Sequence, residues 1–127
     1  QRTSETPLIL AVEDNEDNLL IINYVVDSLS CRFSGEANGK KTLEIARESQ
    51  PNLILLDIML PETNGIDLFH ELKKDISTSH IPVIAVTALA RSEEKKRILD
   101  AGFNAYISKP YMLEEIEELI CRHLNLK

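Results

Sequence analysis

Five short apolar runs punctuate the chain: LILAV (8–12), CRFSG (31–35), NLILLDI (52–58), PVIAVT (82–87) and AYISK (105–109). Three of them are near-continuous Leu, Ile, Val and Ala, the pattern of strands buried on both faces of a parallel sheet. CRFSGE alternates instead, with Cys31, Phe33 and Gly35 on one side and Arg32, Ser34 and Glu36 on the other, which suits an edge strand. Segments of helical length lie between the runs. Asn15 can cap a helix over 16–29, with Leu19, Ile22, Val26 and Leu29 inward and Asn23 facing water. Asn38 can cap 39–49, with Leu43 and Ala46 inward, and Asn64-Gly65 opens 66–75, with Leu68, Phe69 and Leu72 inward. Ser92 can cap 93–101, where Glu93 and Glu94 fall in the first turn, favourable for negative charge, and Gly102 ends the helix. The last helix, 112–125, repeats Leu113, Ile116, Ile120 and Leu124, but Tyr111 and Met112 stand where a capping side chain belongs.

Strands alternating with helices predict an α/β fold, a doubly wound (βα)5 sandwich around a parallel five-stranded sheet. The edge character of the second run favours the flavodoxin-like strand order 2-1-3-4-5. In such sheets ligands bind beyond the carboxyl ends of the strands, where the order reverses. The first run ends in Glu13-Asp14, the third in Asp57, the fourth in Thr87 and the fifth in Lys109-Pro110. Carboxylates, a hydroxyl and an ammonium therefore converge on one crevice. Asp57 is the most telling, because an aspartate inside a buried strand is destabilising unless paired or metal-bound. The plain alternative, a strand-end aspartate capping the next loop, does not account for Asp14 and Lys109 beside it. Glu16 and Asp17 simply occupy the first turn of a helix.

Composition narrows the chemistry. The 127 residues fit one domain of the usual size, about 100–150 residues. A net charge of −7, from 14 basic and 21 acidic residues, argues against direct nucleic-acid binding and favours cationic partners or metal ions. Cys31 and Cys121 form no metal-binding spacing and read as reduced thiols of a cytoplasmic protein. No run is long enough for a membrane span, and no signal peptide opens the chain. The polar QRTSETP reads as a cut edge or the tail of a linker, so a piece excised from something longer, such as a hybrid kinase, stands beside a stand-alone protein as an open alternative. Clustered carboxylates without His or Cys select a hard cation, Mg²⁺ or its stand-in Mn²⁺. An ammonium, a hydroxyl and such an ion around a carboxylate describe a phosphoryl-transfer site, with Asp57 able to form an acyl phosphate.

ILAVEDN (9–15), LILLDIMLPETNG (53–65), IPVIAVTA (81–88) and GFNAYISKP (102–110), with the spacing among them, resemble the receiver domain of two-component response regulators, the CheY-like family. The resemblance runs from Pro7 to Leu126 and implies a receiver domain over 7–127 behind a polar tail, 1–6. It implies that Asp57 is the phosphoacceptor, that Asp14 ligates Mg²⁺ directly and Glu13 mostly through water, and that Met59 offers the metal its backbone carbonyl. Thr87 would be the switch hydroxyl, Tyr106 the switch aromatic, and Lys109 the phosphoryl contact, joined to Pro110 by a cis peptide bond. The donor would be a sensor histidine kinase or a histidine phosphotransfer domain. A downstream protein would read the face of the fourth helix, fifth strand and fifth helix; no membrane is implied, and homodimerisation stays open.

The sequence also departs from the common pattern. Glu13-Asp14 replaces the frequent Asp-Asp, and Tyr111-Met112 stand where Phe and a small capping residue are usual. Met59 and Leu89 would flank the phosphoryl pocket and orient water poorly, which implies slow self-dephosphorylation of a protein that is not otherwise a turnover enzyme. Three other readings compete. A Mg²⁺-dependent phosphohydrolase would want a second Asp at Met59, and a flavin carrier would not place Asp14-Asn15-Glu16-Asp17 against a phosphate. A receiver that docks without being phosphorylated would not need the full set of residues.

Overall fold

The computed structural model describes residues 6–88 and 91–125. The main elements are β1 (Leu8–Val12), α1 (Glu16–Ser28), β2 (Arg32–Glu36), α2 (Thr42–Ser49), β3 (Leu53–Asp57), α3 (Gly65–Lys74), β4 (Val83–Thr87), α4 (Ser92–Ala101), β5 (Ala105–Ser108) and α5 (Leu113–Leu124). All five strands are parallel, in the order β2-β1-β3-β4-β5. This is the order expected from the apolar runs.

The period of two along each buried strand divides the core. Ile9 and Ala11 of β1, Leu53 and Leu55 of β3, and Ile84 and Val86 of β4 meet Ile22 and Val26 of α1 and Ile116 and Ile120 of α5. The alternate residues, Leu10 and Val12, Ile54 and Leu56, Val83 and Ala85, meet Ala46, Leu68, Phe69, Leu72 and Ile98 from α2, α3 and α4. Both faces are thus covered, which is why these strands carry no polar positions until their ends. Phe69 and Phe103 stack with centroids 4.0 Å apart and bind α3 to the turn after α4. β2, by contrast, has no fully buried residue, and Phe33 and Cys31 pack inward against the α1 side.

Asparagines fasten the sheet at its amino edge. Asn52 and Leu8 exchange two hydrogen bonds, the Leu8 N–H donating to Asn52 Oδ1 at 2.9 Å and the Asn52 N–H to the Leu8 carbonyl at 2.7 Å. Asn104 and Val83 repeat the arrangement at 2.9 and 3.0 Å. At the carboxyl edge three more asparagines begin helical turns. Asn15 Oδ1 accepts from Asn18 N–H, and Asn64 Oδ1 from Ile66 and Asp67 N–H.

Four local expectations are corrected. Asn38 caps a short 3₁₀ turn, Gly39–Lys41, rather than α2 itself, which starts only at Thr42. Ser92 is the first helical residue of α4 and Arg91 holds the cap position, so the serine side chain does not close the turn. Leu113 is exposed, because it sits at the overhanging first position of α5, and Leu119 packs in its place. The start of α5 is better specified than its cap residues imply, since Glu115 reaches back to accept from Met112 N–H at 2.8 Å. Among the described residues, no helix is long and apolar enough to cross a membrane.

The segment after β3 carries a feature with no counterpart in the apolar pattern. Met59–Leu60 and Thr63–Asn64 pair as a two-residue antiparallel ribbon, turning through Pro61 and Glu62, the latter at φ 63°. Gly65 lets this ribbon return against β3. A Cβ at that position would lie 2.5 Å from Ile58 Cα and 2.7 Å from the Asp57 carbonyl, both backbone atoms that cannot swing aside. Gly65→Ala is therefore expected to cost about 1–3 kcal/mol of stability in urea denaturation and to weaken Mg²⁺ binding, because the displaced backbone is the one that carries Asp57.

Candidate functional site

The carboxyl ends of β1, β3 and β5 bring Glu13, Asp14, Asp57 and Lys109 together. Glu13 and Asp57 are each only 2% exposed, whereas Asp14 lies open at the mouth. Lys109 Nζ lies 2.9 Å from Asp57 Oδ2 and reaches both oxygens of Glu13, at 3.2 and 3.3 Å. The other Asp57 oxygen, Oδ1, accepts from Met59 N–H at 2.9 Å. The backbone thus fixes one oxygen of Asp57 and the ammonium the other. The Lys109–Pro110 bond is cis, as the family resemblance implies, and Lys109 N–H donates to the Thr87 carbonyl at 2.8 Å. That bond seats the lysine at the end of β4.

Electrostatics follow from this burial. Burial pushes the Glu13 carboxyl above its ordinary range, and the Asp57 charge adds to that; the Asn15 N–H at 3.1 Å and Lys109 oppose it. Burial works to lower the Lys109 ammonium, but the hydrogen bond and charge of Asp57, with Glu13, outweigh it and hold the lysine above its usual value. Two buried carboxylates therefore share one ammonium. Such an arrangement is costly wherever a second cation is not supplied.

The donor set fits a divalent cation. One oxygen from each of Glu13, Asp14 and Asp57 falls within 4.8 Å of the others. Glu13 Oε1 is buried and receives no aligned hydrogen bond, although the Lys109 ammonium is in ion-pair range. Oxygen-only ligands at a strand-end crevice, open to water through Asp14, match Mg²⁺ or Mn²⁺, which keep several waters.

Thr87 is fully buried at the end of β4. Tyr106 of β5 is half-buried against the α4 side, with Lys95 Nζ 5.6 Å from its ring centroid. Leu89 lies outside the described residues. Sequence reasoning placed Glu13 and Lys109 separately and missed their direct pairing, and it did not anticipate that the Tyr111 hydroxyl is buried. Among the described residues the Tyr111 hydroxyl, though buried, has no hydrogen-bond partner; the sole signal was a tyrosine where the pattern favours phenylalanine.

Residues 9–121 match the family described as response regulator receiver domain. The polar-differentiation response regulator DivK of Brucella anthropi is 40% identical over 117 residues, 92% of this chain and 95% of that protein. Its counterpart in Brucella ovis is 40% identical over 120 residues, 94% of this chain and 98% of the relative. Among solved structures, the receiver domain of the sensor histidine kinase PA1611 from Pseudomonas aeruginosa, with a magnesium ion coordinated in its active site cleft, superposes with a TM-score of 0.85 at 30% identity, covering 94% of this chain and 98% of that one. The Vibrio cholerae chemotaxis protein CheY4 shares the fold, with a TM-score of 0.85 at 18% identity over 92% of this chain and 98% of that one.

Proposed function

The chain belongs to the response regulator receiver domain family and acts in two-component signal transduction, and from that premise we propose that Asp57 accepts a phosphoryl group from a phosphohistidine and that Thr87 and Tyr106 convert its arrival into a surface change. The observation that carries this reading is the double hold on Asp57: Met59 N–H on one oxygen, the Lys109 ammonium on the other. A carboxylate so held keeps one orientation while a phosphoryl group approaches.

In the transfer, an Asp57 oxygen forms a bond to phosphorus while the bond from phosphorus to the donor imidazole nitrogen breaks. The electron pair of the broken bond stays on that nitrogen, which takes up a proton. Glu13, Asp14, Asp57 and the Met59 carbonyl would hold a divalent cation, which would supply positive charge against the phosphoryl oxygens. Lys109, already at Asp57, is the protein's own cation for those oxygens. Thr87 turns its hydroxyl toward the new dianion. Tyr106 then moves into the space released, giving up its contact with Lys95, worth about 0.5–1 kcal/mol at an exposed site. A preference of ~2–3 kcal/mol for the active form shifts the populations by about 30–150-fold.

Histidine kinases or phosphotransfer domains are the donors, and the receiver unit spans 7–127. Leu20 and Tyr24 on α1, each 66% exposed, give a donor an apolar footing beside the crevice. Replacing both with alanine is expected to slow transfer from a phosphohistidine protein by about tenfold or more, while phosphorylation by acetyl phosphate keeps its rate. Equal slowing with both donors would remove these residues from docking. The output surface is the face of α4, β5 and α5, and the place of action is the cytoplasm. Met59, 57% exposed over the site, is a side chain that cannot position an attacking water. The acyl phosphate is accordingly expected to outlast minutes in purified protein, followed by radiolabel loss; decay within seconds contradicts this. Amide shifts on adding beryllofluoride with Mg²⁺ test the whole reading.

A further inference from the structure

Gly39 opens the 3₁₀ turn that leads from β2 into α2, and it is buried. Among the described glycines only Gly102 has a φ in the left-handed region, so the backbone at Gly39 is one that any residue can adopt. What the position lacks is room. A Cβ there would lie 2.8 Å from Leu60 Cδ1, 3.1 Å from Thr63 Cβ and 3.2 Å from Leu68 Cδ1. Leu60 and Thr63 pair across the Met59–Asn64 ribbon, so the turn bears directly on both of its strands. Beside this contact Lys40 Nζ lies 3.4 Å from Glu62 Oε1 at the ribbon tip.

The other end of the same segment is tied to the opposite wall of the site. The Glu13 N–H donates to the Glu36 carbonyl at 3.0 Å, which joins the end of β1 to the end of β2. The Asn38 N–H donates to Glu36 Oε2 at 2.8 Å, and Asn38 Oδ1 accepts from the Lys40 N–H at 2.9 Å. The stretch from Glu36 to Gly39 is therefore a short, internally bonded strut. One end meets the strand that carries Glu13 and Asp14, and the other meets the ribbon that begins at Met59. Met59 in turn fixes Asp57 Oδ1 through its N–H, at 2.9 Å. The Gly65 N–H, donating to the Ile58 carbonyl at 2.9 Å, ties the base of the ribbon; the strut braces the rest.

We propose that Gly39 is a positioning residue of the cation site: by seating the Asn38–Lys41 turn against Leu60 and Thr63, it sets the spacing between the Glu13 and Asp14 carboxylates and the Met59 backbone. This rests on Glu13, Asp14, Asp57 and the Met59 carbonyl being the cation's ligands. A close-packed contact passes a displacement on rather than absorbing it. A methyl group added at Gly39 would shift Leu60 and Thr63, and the Met59 carbonyl with them. Mg²⁺ is the ion most sensitive to such a shift, because it demands near-octahedral geometry at about 2.0–2.1 Å, whereas Ca²⁺ accepts a looser shell at about 2.3–2.6 Å. The glycine thus acts on the ion through the ribbon, by the space it leaves.

The test is a double-mutant cycle of Gly39→Ala and Leu60→Ala, each protein titrated with Mg²⁺ and with Ca²⁺ and followed by amide shifts. Gly39→Ala is expected to bind Mg²⁺ about tenfold more weakly, the low end for groups that orient metal ligands from outside, and to lose less for Ca²⁺. Its stability in urea without ions should change little, because replacing glycine also restricts the unfolded chain and offsets part of the steric cost. Leu60→Ala, which takes away the surface the turn bears on, should weaken Mg²⁺ binding by itself. In that background Gly39→Ala should cost much less, since the atom in its way is gone. Equal Mg²⁺ affinity of the wild type and either single variant, the same fold-loss for both ions, or an undiminished loss in the Leu60→Ala background each overturns the proposal. A wild type that takes up no Mg²⁺ overturns the cation-site reading and this one with it, whereas a wild type that binds Mg²⁺ beside an indifferent Gly39→Ala overturns the role of Gly39 alone.

Discussion

Asp57→Asn protein is expected to remain folded and to take up no phosphoryl group from acetyl phosphate, as read by intact mass, nor to show amide shifts with beryllofluoride and Mg²⁺. The two halves of this result have separate causes. The amide has the volume of the carboxylate and keeps an oxygen for Met59 N–H, which lies 2.9 Å from Oδ1. It also removes one of two buried like charges, while Lys109 retains Glu13 at 3.2 Å. Stability should therefore stay within about 1 kcal/mol of wild type. Reactivity, in contrast, disappears, because a neutral amide oxygen is a poor nucleophile and the metal loses an anionic ligand. Phosphorylation persisting at the wild-type level would move the acceptor to another carboxylate of the cluster, with Asp14 the most accessible.

Lys109→Met should have the largest effect on stability. Methionine preserves the apolar stem but deletes the ammonium that serves both Asp57 and Glu13. Removing one member of a buried ion pair costs about 3–5 kcal/mol, and the lower end applies here because the lysine side chain is 23% exposed. The deficit should depend on pH. Glu13 already titrates above its ordinary 4.5 in the folded protein, so its contribution to stability is present below 4.5 and is lost as pH rises through the folded value. Without Lys109 that loss grows, leaving a small deficit in acid and the full one at neutral pH. Mg²⁺ should stabilise Lys109→Met more than it stabilises wild type, as measured by urea denaturation with and without the ion. A variant as stable as wild type at neutral pH would show that the shared ammonium contributes nothing to the fold.

Much of this arrangement was legible in the residues because single physical requirements dictated it. Leu8–Val12 and Val83–Thr87 could be read as strands since burial on both faces leaves no freedom to vary polarity. Asp57 stood out since an acid at the end of such a strand needs a partner. Other features escaped for equally definite reasons. The Met59–Asn64 ribbon is two residues long on each side, too short to show a period, and depends on Gly65 approaching Ile58. Asn38 carries the same capping chemistry as Asn15 and Asn64, yet it opens a 3₁₀ turn, Gly39–Lys41, and the capping residue itself holds no sign of that difference. The exchange between Lys109 and Glu13 joins residues 96 positions apart, and only the register of β1 and β5 across the sheet decides it. The isolated hydroxyl of Tyr111 is a property of the cavity around it.

The asparagine ties at the amino edge give the sheet two unlike rims. Asn52 and Asn104 lock neighbouring strands with reciprocal bonds, whereas the opposite rim ends in charged groups that can exchange partners. Strands anchored in this manner do not slide past one another, so a displacement begun beside Asp57 has no route along the sheet axis. Under the proposed function it travels laterally, toward β5 and the helices flanking it, which gives the molecule a built-in direction of transmission.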